Sequence, residues 1–262
     1  MSRVRWTDAL RLSVGSLTAY PVRAPRSVDS GRAALAMVLA PITVLPLAAL
    51  WWGLAALARL TGLALVCAVV AVGLSALVTR ALHLDGLADT ADGLTSGYDA
   101  QRMNEVMHRG DTGPAGAAAV ALVILLDVSA LAALWAYPAG ALVSVTALAA
   151  SRSTLGWLCG RSRPAAPGSS FGATFAGTVP AWAAATGLVA LVVAVVLGAA
   201  ASDASVLPPL AAIAGALVAA LSVAARASGR LGGVNGDIFG AAVEISLAAG
   251  LVAGAFVTAV AL

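Results

Sequence analysis

Charge is what this sequence has least of. Asp, Glu and Arg together make up 10% of its 262 residues, and lysine does not occur at all. An ordinary soluble domain carries about 25% charged residues. With 61% of the chain hydrophobic and a mean hydropathy of +0.96, there are too few charges to cover a water-facing surface. Lipid is therefore the expected solvent for most of it. Cysteine is scarce too. Cys67 and Cys159 stand far apart in apolar stretches with no CxxC or Cys/His spacing, which argues against a disulfide framework and against zinc. The missing lysine, beside an excess of Ala, Gly, Val and Leu, reads as coding bias. A pI of about 9.4 does not by itself mean nucleic acid, because no basic run is interleaved with aromatics. In such a chain the Arg residues report topology instead. No apolar stretch with a cleavage site follows Met1-Ser2-Arg3-Val4-Arg5, so no cleaved leader is expected.

What is present in quantity is apolar runs long enough to span. A crossing of a ~30 Å core needs about 20 apolar residues. Runs of that kind lie near 34–57, 62–83, 114–136, 139–159, 181–201, 206–225 and 238–260, with Pro41 and Pro46 kinking the first. The expected fold is all-α, one integral-membrane domain over 1–262: a polytopic helix bundle of about seven spans. Residues 1–33 are too polar to span. Trp6, Leu10, Val14 and Leu17 recur at helical spacing with Arg3, Arg5 and Arg11 off that face, as in a helix lying in the membrane interface. With the N-terminus inside, the inner segments 1–33, 84–113, 160–180 and 226–237 hold 12 of the 15 Arg residues. Arg80 and Arg152 lie inside spans within reach of the same side, and only Arg59 lies on the outer side. The positive-inside rule then puts the N-terminus and any chemistry on the cytoplasmic face, since the outer turns are too short to host a site. Arg152, inside a span, is expected to snorkel inward, and Asp127 to lie nearer the outer interface.

The most informative stretch is in the Asp-rich region 84–113. Asp85, Asp89 and Asp92 stand at i, i+4 and i+7. On a helix these fall within about 60° of one another, a single row of carboxylates. Like charges so placed repel one another unless a cation sits among them. Hard oxygen donors without a Cys/His cluster suit Mg²⁺ or Mn²⁺. Gly86 and Gly93 clear space beside the row. His83 borders it, within reach of a phosphate or of an Asp, or simply interfacial. A second stretch runs Arg230-Leu231-Gly232-Gly233-Val234-Asn235-Gly236-Asp237, followed by Glu244 seven residues beyond Asp237 on the same helical face. Such glycines either meet an anion with their N–H groups or let helices pack. In Arg109-Gly110-Asp111-Thr112-Gly113-Pro114, Asp111 is placed either to cap the next helix or to bind metal. Arg161 and Arg163, ahead of Pro164, add cations on a flexible loop. Arg80 lies within reach of the same side.

His83-Leu84-Asp85-Gly86-Leu87-Ala88-Asp89-Thr90-Ala91-Asp92-Gly93 closely resembles the signature of the cobalamin synthase family. Leu231 to Asp237, with Gly240-Ala241-Ala242 and Glu244, is similar to that family's C-terminal motif, with Asn235 where Thr is usual. Leu17-Thr18, Pro21 and Arg163-Pro164 fit as well, so the resemblance runs through the whole chain. It implies transfer of the adenosylcobinamide-phosphoryl group from adenosylcobinamide-GDP to α-ribazole, or its 5′-phosphate, with release of GMP. It also implies a Mg²⁺ requirement and a bacterial inner-membrane location. On that reading Asp85, Asp89, Asp92 and Asp237 hold metal, and Asp92 or Asp89 takes the proton of the attacking hydroxyl. Arg80, His83, Arg109, Asp111, Arg163, Arg230, Gly232, Gly233, Asn235, Gly236 and Glu244 hold substrate. Membrane lipid, a second copy of the chain and other corrinoid-pathway enzymes are the expected partners, and nucleic acid is not. The nearest rival is a phosphotransferase acting on CDP-activated alcohols, disfavoured because no Arg follows the first Asp-Gly pair. A cation-coupled transporter, the rival from another class, would put its acids at mid-membrane within an internal repeat.

Overall fold

The computed structural model describes residues 3–97 and 99–260, without the side chains of Arg3 and Val4; residues 1 and 2 of the expected interfacial segment lie outside the described residues. Among the described residues every regular element is a helix. Its helices are α1 (Arg3–Leu17), α2 (Ser30–Val38), α3 (Leu45–Thr61), α4 (Ala64–Val78), α5 (Leu82–Thr95), α6 (Ala100–Met107), α7 (Pro114–Leu134), α8 (Gly140–Leu158), α9 (Ser170–Phe175), α10 (Ala181–Ala201), α11 (Leu207–Leu231) and α12 (Gly236–Val260). Helix α12 is the central post and packs against α5, α7, α8 and α11.

Five stretches are long and apolar enough to cross a membrane: Ala40–Thr61, α7, α10, α11 and α12. The bent pair α4 and α5 would make a sixth if counted as one span. That compares with about seven expected, and the differences have physical reasons. The expected span over 34–57 is cut at its start, because a 3-10 turn over Ala40–Val44 carries Pro41 and the α-helix resumes with Pro46 in its first turn. The expected span over 139–159 does form a helix, α8. It carries Ser144, Thr146, Ser151, Arg152 and Thr154, all buried. Enclosed by α3, α10, α11 and α12, it meets protein where the other spans meet lipid, so its composition is not held to the lipid standard. Arg152 does not snorkel: it is 2% exposed, among the largest fully enclosed side chains.

The third difference is a corner. Helix α4 is about 22 Å long at 1.5 Å per residue. It stops at Val78, and α5 leaves at 88° to it. The corner is made by Arg80 and Ala81, both at φ 53, a left-handed pair closed by the Ala81 N–H donating to the Ala76 carbonyl at 2.7 Å. This turn takes the Asp row out of the spanning direction and lays it across the ends of α7 and α12. The spans are thus the apolar limbs, and α5 lies outside them.

The segments expected on one face are bonded to one another. The Ala19 N–H donates to the Val78 carbonyl (2.6 Å) and Arg80 Nη2 to the Thr18 carbonyl (3.3 Å). Arg230 Nη1 donates to the carbonyls of Leu94 (2.7 Å) and Gly97 (3.0 Å). The Ala166 N–H donates to the Val234 carbonyl (2.9 Å). One end of the bundle therefore gathers 17–20, 78–113, 160–180 and 228–237. Helix α1 docks there on α2 through buried Asp8, which lies 3.5 Å from Arg32 and 3.7 Å from Arg11. Of its expected apolar stripe, Leu17 turns inward, while Trp6 and Leu10 remain exposed and suited to a membrane interface.

Candidate active site

Two glycines decide the geometry. Where α5 crosses the start of α12, a Cβ on Gly86 would sit 2.8 Å from the Asp237 carbonyl oxygen, and one on Gly240 would sit 3.1 Å from the His83 backbone. No side chain fits between the two backbones, so the helices meet at glycine contact. The crossing sets the α5 acids beside the first turn of α12, where Asp237 stands. Asp89 is partly buried and feels Asp85, Asp237 and Asp92. Its own burial, followed by those three like charges, pushes its carboxyl from the usual 3.8 up to about 6. Asp85 is exposed and lines a cavity of about 260 Å³ together with Asp237.

The carboxylate row forms, but not as a cage. Asp85 and Asp92 are separated by about 10 Å of helix rise, too far to grip one ion together. Among the described residues no three His, Cys, Asp or Glu side chains are grouped closely enough to enclose a metal. The cross-helix set of Asp85, Asp89 and Asp237 offers hard oxygens only and shares one electrostatic field, which matches the donor preference of Mg²⁺ or Mn²⁺.

Asp92 is committed elsewhere. Its carboxylate accepts the N–H of Gly113 (2.7 Å) and of Gly116 (2.8 Å), so it caps the N-terminus of α7 from another helix. A Cβ on Gly116 would lie 2.4 Å from an Asp92 oxygen, which explains the glycine. Asp111, placed by the sequence to cap this same helix, is exposed in the α6–α7 loop with Arg109.

The second glycine stretch is structural for most of its length. Gly232 closes α11 in the left-handed region (φ 81). A Cβ on Gly233 would lie 2.5 Å from the Ala165 backbone, at the short parallel bridge between Ala165 and Val234. Asn235 is buried; its Oδ1 accepts the Ile238 N–H (2.9 Å) and its Nδ2 donates to Asp237 Oδ2 (2.9 Å). It caps α12 and aims the carboxylate in one stroke. Thr also caps helices, so the departure from the family motif keeps the cap. Gly236 opens α12 against Phe171. Arg163 faces a separate open groove with Gly232 and Gly233, which shares no lining residue with the Asp85–Asp237 cavity. Arg230 and Arg80 are engaged with the carbonyls described above.

Below the site, His83 and Glu244 lie 3.6 Å apart, Nδ1 to Oε1, too far for a hydrogen bond. Burial, then the positive charge of Arg152, pushes His83 down to about 3, so the imidazole is neutral and the contact is not an ion pair. Glu244 turns toward a cavity of about 20 Å³ that is also lined by Asp127, Arg152, Ser75 and Thr79. Asp127 is 3% exposed and enclosed by protein.

Sequence reasoning missed three things here. The Gly113–Gly116 amides as partner of Asp92 were legible only as a glycine repeat ahead of a span. A cavity of about 190 Å³ on the far side of Asp237, lined by Asn104, His108, Ser169, Ser170 and Phe171, left no signal beyond a polar loop. The apolar wall of the larger cavity comes from α1, α2, α8 and α12, and no local pattern joins those four.

Against known proteins, the family model described as Cobalamin-5-phosphate synthase matches residues 9–255. An adenosylcobinamide-GDP ribazoletransferase of Nocardioides sp. is 45% identical over 176 residues, 66% of this chain and 75% of the relative. The protein of that name from Frankia casuarinae is 37% identical over 172 residues, 62% of each chain. That from Corynebacterium efficiens is 35% identical over 187 residues, 71% of this chain and 67% of the relative. No solved structure matches.

Proposed function

Since the chain belongs to the cobalamin-5-phosphate synthase family, we propose that it is a membrane transferase joining the adenosylcobinamide-phosphoryl group of adenosylcobinamide-GDP to α-ribazole or α-ribazole 5′-phosphate. GMP is released, in the late nucleotide-loop step of cobalamin assembly. The rival substrates, CDP-activated alcohols and transported cations, yield to that family membership. The observation that supports the site is the glycine-on-glycine crossing of α5 and α12, with Asp85 and Asp237 from the two helices at one cavity and Asp89 within their field.

Mg²⁺ or Mn²⁺ held by Asp85 and Asp237 together with the phosphate oxygens would neutralise the diphosphate. The protein's own work is positioning. The acceptor hydroxyl oxygen bonds to the phosphorus that bears the cobinamide, and the bond from that phosphorus to the bridging oxygen breaks. GMP departs with that oxygen. The hydroxyl proton passes to Asp89, the acid of the set left free of the cation. Asn235 fixes Asp237. Asp92 locks α5 to α7, so the expectation that it is the base or a metal ligand gives way, in this proposal, to a positioning role. We place this end of the bundle on the cytoplasmic side of the bacterial inner membrane, from the Arg residues gathered in its loops.

Turnover in lipid nanodiscs with adenosylcobinamide-GDP, α-ribazole and Mg²⁺ tests the reading. Metal-dependent GMP release by the wild-type chain, lost in Asp85→Asn and Asp237→Asn variants that remain folded, is the expected result. A folded wild-type chain that releases no GMP overturns it.

A further inference from the structure

Asp237 stands between two cavities of opposite character. One, about 260 Å³, has Leu17, Met37, Leu155, Phe239 and Val243 in its wall, with Ser16, His83, Asp85 and Asp237 as its polar groups. The other, about 190 Å³, is lined by Asn104, His108, Ser169, Ser170 and Asn235. Phe171, Gly236 and Asp237 belong to both and form the partition. Phe171 is held in that position by its ring contacts with Phe175 (4.6 Å between centroids) and Phe239 (5.9 Å).

An in-line displacement needs the attacking and leaving groups on opposite sides of the phosphorus. Two cavities meeting at one carboxylate supply two sides. Ligand sites are mostly apolar with a few placed polar groups, and they match the size of what they hold. The corrinoid is far too large for either cavity and stays at the mouth. The acceptor's base is an apolar methylated bicycle, whereas the leaving nucleotide carries a base dense in donors and acceptors.

Resting on the function proposed above, we infer that the cavity between α1, α2, α8 and α12 is the acceptor pocket, taking the methylated benzimidazole of α-ribazole. The sugar hydroxyl faces Asp85 and Asp237. The polar cavity beyond Phe171 lies on the side from which the guanosine nucleotide leaves. Met37, Leu155 and Val243 then set selectivity for the base, through shape and apolar contact with no hydrogen bond required.

The test is a pair of KM values for each variant, with α-ribazole binding to the metal-free protein in nanodiscs measured by calorimetry. Val243→Phe fills the pocket from within, and Ser16→Phe narrows it from the rim in case the first variant does not fold. Both should raise KM and Kd for α-ribazole at least tenfold and leave KM for adenosylcobinamide-GDP within about threefold. Ser170→Trp, in the polar cavity, should show the reverse pattern. With the wild-type protein, an α-riboside of benzimidazole lacking its two methyl groups should bind about tenfold more weakly, at roughly 0.8 kcal/mol per buried carbon. Unchanged α-ribazole constants in both pocket variants, or a shift confined to the corrinoid substrate, overturn the pocket assignment while turnover persists. Absence of turnover by the wild-type chain removes instead the function on which it rests.

Discussion

The chain holds two acidic groupings that share helix α12 but not a physical regime. Asp85, Asp89 and Asp237 sit at the end of the bundle in one field of like charge, Asp85 and Asp237 lining a cavity there. Asp127 and Glu244 sit within the bundle with Arg152, enclosed around a cavity of about 20 Å³, the size of one water molecule. Arg152 donates Nη1 to Ser151 (2.8 Å), and Asp127 Oδ1 has no hydrogen-bond donor among the described residues. The difference teaches what burial does to a carboxylate. Near water, repulsion among acids is affordable and makes them receptive to a cation. Inside, acids persist only where a cation of the protein's own is built in. His83 is the hinge between the two. It lies two residues before Asp85 in sequence and 3.6 Å from Glu244 in space.

The comparison can be broken most forcefully at the open group. Asp89→Asn should lower kcat by about 10²–10⁴, the usual contribution of a general base, with little change in KM for either substrate. Steady-state kinetics on the folded variant reads this directly, and a near-normal kcat removes Asp89 from the role. At the buried group the effect should fall on stability instead. Arg152→Met removes the donor to Ser151 and the buried cation whose field reaches both acids, and should cost about 1–3 kcal/mol. Arg152→Met combined with Asp127→Asn should recover part of that loss. Reversible unfolding in mixed micelles measures the cycle, and strict additivity of the two changes would show that Arg152 and Asp127 are not coupled.

Asp92 sharpens the comparison from a third position, since it is acidic, nearly buried and satisfied by amides alone. Asp92→Ala should cost about 1–3 kcal/mol and accelerate hydrogen exchange at Gly113 and Gly116. Unaltered protection at those two amides would mean that the cap is supplied by something else. Gly86→Ala introduces a Cβ against the Asp237 backbone and should cost about 1–3 kcal/mol while separating the two helices that share the site. Loss of Mg²⁺ affinity in that variant, without loss of any carboxylate, is its distinguishing readout.

The smallest effect concerns pH. In the folded chain the Asp89 carboxyl holds its proton to about pH 6, against 3.8 when unperturbed. Its ionisation therefore opposes folding above pH 6, and the effect is absent below about pH 4. In EDTA, Asp89→Asn should melt at a higher temperature than wild type at pH 7.5, and the gap should close as the pH falls toward 4. A gap of the same size at both pH values would contradict the shift.

Much of this was legible without coordinates. Scarcity of charge determined the solvent, because a chain this apolar has no way to face water. The Asp-Gly-rich stretch carried the chemistry and the family, since a row of like carboxylates at helical spacing is costly unless a cation meets it. The Arg distribution marked one end of the bundle, and the bonds among those loops draw together the segments it marked. What tertiary structure alone decided was partnership. Asp85 and Asp237 are 152 positions apart, and only the glycine crossing makes them neighbours. Asp92 and Asp89 look alike in the row, yet one meets two amides and the other faces the site. Arg152 and Asp127 each looked stranded, because a buried counter-charge comes from another helix and leaves no local pattern. The run over 139–159 reads as a span like the others, and only its neighbours show that protein encloses it. Sequence sets what a residue can do, and the distances across helices, absent from any local window, set what it does.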